Sequence, residues 1–264
     1  MRRIFSALMV LFFISVCHAV SAQEGVFLWK SEALYSAQAQ QQLLKHAEQH
    51  GLERIYWGVT ADQARHPALM MAKLGAVIRR LDQQGTQSWL LLGDPHWILP
   101  EHRADLINIL GRFEALPFSG VMLDLEVEQL GFPVPQARLD QWLDTLETST
   151  KATQKPVEIT AHWRWFASTQ EPCIACKLIG LGVSGASLMI YTTNIDRVNA
   201  IIDNAERSDG IKLRVVQSLE PFLSKEESWA HKSRDQRQQS ITRLRQTLQT
   251  PLDWQAYEFI DQLD

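Results

Sequence analysis

Residues 120–126 read GVMLDLE, a short and almost continuous apolar run with two carboxylates at its end. A strand with one solvated face alternates apolar and polar residues, whereas strands buried on both faces are apolar at successive positions. Strands of the second kind belong to parallel sheets whose two faces are covered by helices. Residues 120–126 therefore predict a buried parallel strand with acidic side chains at its carboxyl end.

Seven similar runs lie along the rest of the chain, separated by amphipathic segments. They predict strands at residues 26–30, 54–60, 88–92, 157–161, 188–192, 212–219 and 254–260. Helical patterns occupy residues 31–49, 67–85, 100–114 and 135–149, and further helices start after Asn194 and contain Ile241, Leu244 and Leu248. The glycine-rich connection at 176–185 does not predict a full helix.

Eight strands joined by crossover segments predict the α/β class and a single (β/α)₈ TIM barrel over residues 23–264. The competing architecture is an open doubly wound sheet. No G-x-G-x-x-G follows the first strand, which removes the commonest reason to expect that sheet.

Residues 1–22 have the features of a cleavable secretory signal. Arg2 and Arg3 precede an apolar run at 4–16, and the segment ends in Val-Ser-Ala at 20–22. An uncleaved anchor is the alternative, but the run is shorter than the about 20 residues that span a membrane. We expect an exported protein, periplasmic or secreted, with no stable membrane span after signal cleavage.

The charge of the mature region is acidic. Arg2 and Arg3 are the only Lys, Arg, Asp or Glu residues of the signal, so 24 of the 26 basic residues remain against 30 acidic ones, a net charge of −6. This balance argues against nucleic acid or anionic lipid as the main partner.

Two cysteines, Cys173 and Cys176, remain after signal removal. In an oxidising compartment this C-x-x-C predicts a local disulfide. A thioredoxin-like redox site is the alternative, but it would follow an early strand at the start of a helix.

Polar and aromatic residues concentrate at the predicted carboxyl ends of the strands, where TIM barrels form their active sites. Sugars present apolar C–H faces to aromatic rings and hydroxyls to polar groups. The candidate saccharide-binding residues are Trp29, Asp94, His96, Trp97, His162, Trp165 and Tyr257.

The strongest catalytic candidates are Asp124 and Glu126. Side chains two positions apart on a strand point to the same side. Two neighbouring carboxylates do not both ionise readily, so the pKa of one rises. A carboxyl group protonated near neutral pH is the acid that cleavage of a glycosidic bond requires.

Residues 119–126, SGVMLDLE, resemble the D-G-x-D-x-D-x-E signature of family 18 glycoside hydrolases, which include chitinases and endo-β-N-acetylglucosaminidases. Met189-Ile190-Tyr191 is similar to the M-x-Y of that family's sixth strand, and Tyr257 stands near the position of its strand-eight tryptophan. The resemblance implies that Glu126 is the general acid/base, and that Asp124 and Tyr191 orient and bind the substrate's N-acetyl group.

Two departures from the signature leave other mechanisms open. Ser119 and Met122 replace its first two aspartates. Glu220, at the end of the seventh strand, resembles the nucleophile of the large group of retaining barrel glycosidases, with Glu126 as acid/base. An N-terminal helix partner before Pro221 is an equal alternative for Glu220.

The sequence thus predicts an exported barrel that cleaves a polysaccharide or oligosaccharide without a cofactor. Asp94, His96 and His162 are not at a known metal-ligand spacing, so we expect no metal site. The alternatives are a non-catalytic carbohydrate-binding barrel and a redox or interaction protein built around the cysteine pair.

Overall fold

The computed structural model describes residues 23–167, 173–205 and 211–264, and the predicted signal at 1–22 lies outside them. The strands are β1 (Glu24–Leu28), β2 (Leu52–Gly58), β3 (Gln87–Leu92), β4 (Gly120–Leu123), β5 (Val157–His162), β6 (Val183–Met189), β7 (Lys212–Ser218) and β8 (Leu252–Gln255). The helices are α1 (Ala37–Gln49), α2 (Ala61–Arg65), α3 (Pro67–Gln83), α4 (Pro100–Phe113), α5 (Gln136–Lys151), α6 (Ile174–Gly180), α7 (Ile195–Asn204) and α8 (Arg234–Thr247). Short 3₁₀ helices occupy Ser31–Tyr35, Pro95–Ile98, Val127–Leu130, Trp163–Phe166, Trp229–His231 and Tyr257–Leu263.

The eight strands pair in chain order and close into a parallel barrel, in which β8 returns to β1. Val26 of β1, for example, lies opposite Ile55 of β2 on one side and Trp254 of β8 on the other. This closure confirms the (β/α)₈ prediction and excludes the open sheet.

The strands are apolar at successive positions because both faces of the barrel wall are buried. Outward side chains such as Val121 and Leu123 pack in the large core beneath the helices. Inward side chains such as Phe27, Tyr56 and Met122 form a separate cluster inside the barrel. Alternation along β4 therefore places Asp124, two residues after Met122, on the inner side.

Ion pairs fill the barrel interior at the amino ends of the strands, below the inner apolar cluster. Arg214 contacts Asp253, which is fully buried, at 2.8 Å. Arg54 contacts Glu158 at the same distance. A Cβ at Gly25 would lie 2.3 Å from a carboxylate oxygen of Asp253, so only glycine leaves room for this pair. The interior is thus closed at this end by compensated charges.

Several predicted strand boundaries were wrong. β1 and β2 each begin and end two residues before their predicted limits. β6 begins at Val183 inside the glycine-rich connection, since Gly182, at φ +82°, ends the preceding helical turn at once. β4 ends at Leu123, and a 3₁₀ helix follows Glu126. β8 ends at Gln255, because residues 257–263 form a 3₁₀ helix whose three-residue repeat buries Ile260 and Leu263.

Three helix-end signals in the sequence are confirmed, whereas the helix predicted over 31–49 begins as a 3₁₀ helix and becomes α-helical only at Ala37. Pro67 occupies the first turn of α3, and Gly85 follows it at φ +86°. Asn194 caps α7 by accepting a hydrogen bond from the amide of Arg197. The crossover predicted as weak contains α6, a helix of seven residues.

Cys173 and Cys176 form the expected local disulfide at the start of α6. The described part of the chain contains no helix whose length and apolar character would let it cross a bilayer.

Candidate active site

Inward-facing polar side chains form a layer above the inner apolar cluster, at the carboxyl ends of the strands. Thr160 donates a hydrogen bond from Oγ1 to Oδ1 of Asp124. The Tyr191 hydroxyl donates to Oε1 of Gln255 at 2.6 Å. Trp29 and Tyr191 both pack on the inner cluster from above. These five side chains form the base of the barrel mouth, and alternation along β1, β4, β5, β6 and β8 brings them there.

Gly93, directly after β3, leaves space within this layer. A Cβ at this position would lie 3.3 Å from Cβ of Asp124 and 3.3 Å from Cζ3 of Trp29. The end of β3 thus brings backbone, without a side chain, against both the carboxylate and the indole.

Asp124 is half-buried in this layer. Burial raises the pKa of its carboxyl to about 6, the hydrogen bond from Thr160 opposes that rise, and the charge of Glu128 adds to it. The group is therefore mainly ionised at neutral pH and protonates in mildly acidic solution.

Glu126 follows at the start of the 3₁₀ helix Val127–Leu130. Burial first, and then the charges of Asp124 and Glu128, raise the pKa of its carboxyl to about 7, against a hydrogen bond from Gln129 that lowers it. The amide of Gln129 donates that bond to Oε1 at 2.5 Å. The raised pKa keeps a proton on Glu126 closer to neutral pH than on an ordinary carboxyl, as a general acid requires.

Glu128 is a third carboxylate of the mouth that sequence reasoning missed. Its Oε1 accepts a hydrogen bond from the indole nitrogen of Trp165, a predicted saccharide-binding residue. Its charge acts on both Asp124 and Glu126. Strand alternation could not place it, because the chain has already turned into a 3₁₀ helix at Val127.

Tyr191 links the acidic group to Glu220. Burial raises the pKa of its phenol well above the ordinary value, and the charges of Asp124, Glu220 and Glu126 add to the rise. The phenol therefore stays protonated and remains a hydrogen-bond donor. Glu220 is itself buried and accepts a hydrogen bond from Ser218 at 3.2 Å. The other three predicted catalytic side chains thus lie within electrostatic reach of Tyr191.

The other candidate binding residues lie around this layer. Asp94 and His96 pair with each other at 2.9 Å; His96 is exposed and Asp94 is half-buried. Trp97 is half-buried in the following 3₁₀ helix and packs against the outer core. His162 is half-buried at the end of β5, where burial lowers the pKa of its imidazole while the charge of Glu128 opposes that effect.

Tyr257 lies apart from the mouth. Its ring packs against the outer core, with its centroid 5.8 Å from that of His46 on α1. Gln255 supplies the inward side chain of strand eight instead, because Trp254 faces outward between Asp253 and Gln255. Alternation around Trp254 is a sequence signal that could have identified Gln255.

Within the described ranges, no cluster of three or more His, Cys, Asp or Glu side chains is arranged to hold a metal ion. The mouth instead offers a carboxylic acid, a neighbouring carboxylate, a phenol and an indole. Such a set can transfer protons and stabilise positive charge beside an apolar ring face.

No family model matches the chain, and no curated protein matches it by sequence. Solved structures match it by fold. GH5_18 from Streptomyces cattleya in complex with GlcNAc is 13% identical, with a TM-score of 0.57 over 89% of this chain and 70% of that one. Phosphonopyruvate hydrolase in complex with oxalate and Mg²⁺ is 10% identical, with a TM-score of 0.51 over 91% and 77%. Dihydrodipicolinate synthase from Agrobacterium tumefaciens is also 10% identical, with a TM-score of 0.51 over 92% and 72%. These similarities establish the barrel fold, which such different proteins share.

Proposed function

We propose that this protein is a glycoside hydrolase that cleaves a polysaccharide, with Glu126 as general acid/base and Asp124 as its partner. The observation that carries the proposal is the Glu126 carboxyl at the barrel mouth, whose pKa is raised to about 7 by burial and by Asp124 and Glu128. Glycosidases need one carboxyl protonated and one ionised at the same pH. Asp124, with a pKa of about 6, supplies the second.

In this mechanism Glu126 donates its proton to the glycosidic oxygen as the bond from that oxygen to the anomeric carbon breaks. The Asp124 carboxylate stabilises the positive charge that develops on the sugar. On an N-acetylated sugar the acetamido oxygen attacks the anomeric carbon, and Asp124 and Tyr191 orient that group. Water then adds to the anomeric carbon and returns a proton to Glu126, which restores the enzyme.

The two-glutamate mechanism, with Glu220 as nucleophile, is the less favoured form. The carboxylates whose charges raise the pKa of Glu126 are Asp124 and Glu128, and not Glu220. Glu220 instead accepts a hydrogen bond from Ser218. This form would also need the Glu126 and Glu220 carboxyls about 5–5.5 Å apart.

The barrel of Streptomyces cattleya GH5_18 has been solved with GlcNAc and, as a single-residue variant, with Manb1-4GlcNAc. A barrel of this fold can therefore bind a sugar, which supports the choice of substrates to test. We also propose that the protein is exported, on the signal-like residues 1–22. Expression of the full chain followed by fractionation and N-terminal sequencing tests this; intact protein in the cytoplasm would refute it.

The test of function is reducing-end release from N-acetylated and plain polysaccharides by the mature protein. Glu126→Gln keeps the shape and removes the acid, so release should disappear. Glu147→Gln, on the exposed surface of α5 beside Lys151, is the matched control and should leave release unchanged.

Release that persists in Glu126→Gln would refute the role of Glu126. Binding without release by the parent protein would identify a carbohydrate-binding barrel that does not turn over. If the parent protein shows no binding and no release, this result would contradict the saccharide function as a whole.

A further inference from the structure

A cavity of about 500 Å³ lies beside the barrel mouth, between α2 and α4. Its volume falls within the range of about 300–1,000 Å³ that is usual for small-molecule sites. Residues from one face of α4, including Asp105, Asn108 and Ile109, form one wall. Asp94 and Trp97, from the loop after β3, form another.

The cavity approaches the candidate active site at Gly93. Gly93 lines the cavity and also contacts the active-site layer, where a Cβ would meet Asp124 and Trp29 at 3.3 Å. Because this position has no side chain, only backbone atoms of Gly93 stand at this point of approach. A chain bound at Asp124 could therefore extend over Gly93 into the cavity.

The lining combines an aromatic ring, aliphatic side chains and free polar groups. Trp97 is half-buried, so part of its indole faces the cavity. Ile109 and Ala64 add apolar surface. The side chains of Asp105 and Asn108 are exposed and hydrogen-bond to no other residue in the described part of the chain. Such a wall suits a pyranose ring with its apolar faces and peripheral hydroxyls.

The charges of the lining compensate each other. Arg65 and Arg112 contribute two positive charges, and Asp94 and Asp105 two negative ones. A phosphate or a uronic acid would meet no net attraction there. The balance favours a neutral sugar.

We propose that this cavity is a second saccharide subsite, which binds a neutral sugar unit of the chain held at Asp124 and Glu126. The proposal rests on the proposed function, and it specifies the substrate as a neutral oligosaccharide or polysaccharide long enough to reach across Gly93. Asp105 and Asn108 hydrogen-bond the distal sugar, and Trp97 contacts its apolar face.

The test is calorimetric binding of chito- and cello-oligosaccharides, from the disaccharide to the hexasaccharide, to the full-length mature Glu126→Gln protein, which leaves the probes uncleaved. We expect affinity to rise at the length that reaches the cavity. Asp105→Ala combined with Asn108→Ala should lower that affinity by about tenfold, since two hydrogen bonds are lost, and leave the shortest bound probe unaffected. Asp144→Ala, on the exposed surface of α5, is the control. A galacturonate oligomer should bind more weakly than the neutral probes of its length.

Affinity independent of length, or a length-dependent gain that survives the double substitution, would overturn the subsite. So would the absence of binding to every neutral probe, or tighter binding of the galacturonate oligomer. Hydrolysis by the parent protein is measured separately, so the proposed function can stand when the subsite fails, and the two failures are distinguished.

Discussion

Replacing Glu126 by Gln should stabilise the protein in alkaline solution. The pKa of the carboxyl rises from an ordinary 4.5 to about 7 on folding, so the folded state holds this proton more tightly than the unfolded state. The free energy of unfolding therefore falls as pH increases from 4.5 through 7. At about 1.4 kcal/mol per pKa unit, the full effect is about 3 kcal/mol, which partial exposure of the group reduces to about 2 kcal/mol. Gln has no charge to desolvate, so it avoids this loss.

Urea denaturation at about pH 8 and about pH 4 measures the difference directly. We expect Glu126→Gln to exceed the parent by about 2 kcal/mol at the higher pH and to match it at the lower one. Glu147→Gln, at an exposed ion pair with Lys151, should show no comparable difference. If Glu126→Gln is less stable than the parent at pH 8, or if its free energy of unfolding changes equally at both pH values, the Glu126 carboxylate is not destabilised by burial.

Three further predictions concern single contacts. Thr160→Val removes the hydrogen bond that lowers the pKa of Asp124, so the acidic limb of the pH–activity profile should move to higher pH, whereas Thr160→Ser should keep it in place. Gly120→Ala would place a Cβ 2.4 Å from an indole carbon of Trp89, and should lower the free energy of unfolding by about 1–3 kcal/mol in thermal or urea unfolding. Arg214→Met leaves the buried carboxylate of Asp253 unpaired and should lower the free energy of unfolding by about 3–5 kcal/mol. The double variant Arg214→Met with Asp253→Asn should regain part of this free energy in urea unfolding.

The barrel could be predicted because both faces of its wall are buried, which makes the strands stand out as apolar runs. Strand boundaries were predicted wrongly where the backbone conformation depends on a neighbouring strand or on a local 3₁₀ turn. Val183 begins β6 despite the nearby glycines, since pairing with β5 fixes the strand. The apolar spacing of Ile260 and Leu263 fits a 3₁₀ turn, and an apolar count alone did not separate that turn from a strand.

The proposed catalytic carboxylates stand out in the sequence because a carboxylate in an apolar run has no structural explanation of its own. Their partners do not. Thr160 is an ordinary strand residue until the closed barrel brings it to Asp124, which is 36 positions away in sequence. Gln255 likewise becomes notable only through its hydrogen bond with Tyr191.

The alternation of inward and outward side chains along β4 makes this strand unusually sensitive to the insertion or loss of one residue. Met122 and Asp124 face the interior, while Leu123 and Leu125 face the helices. One inserted residue after Gly120 would exchange the two sets, placing the carboxylate in the apolar outer core and leucines at the mouth. In this segment, a change of length would therefore do more harm than most changes of residue type.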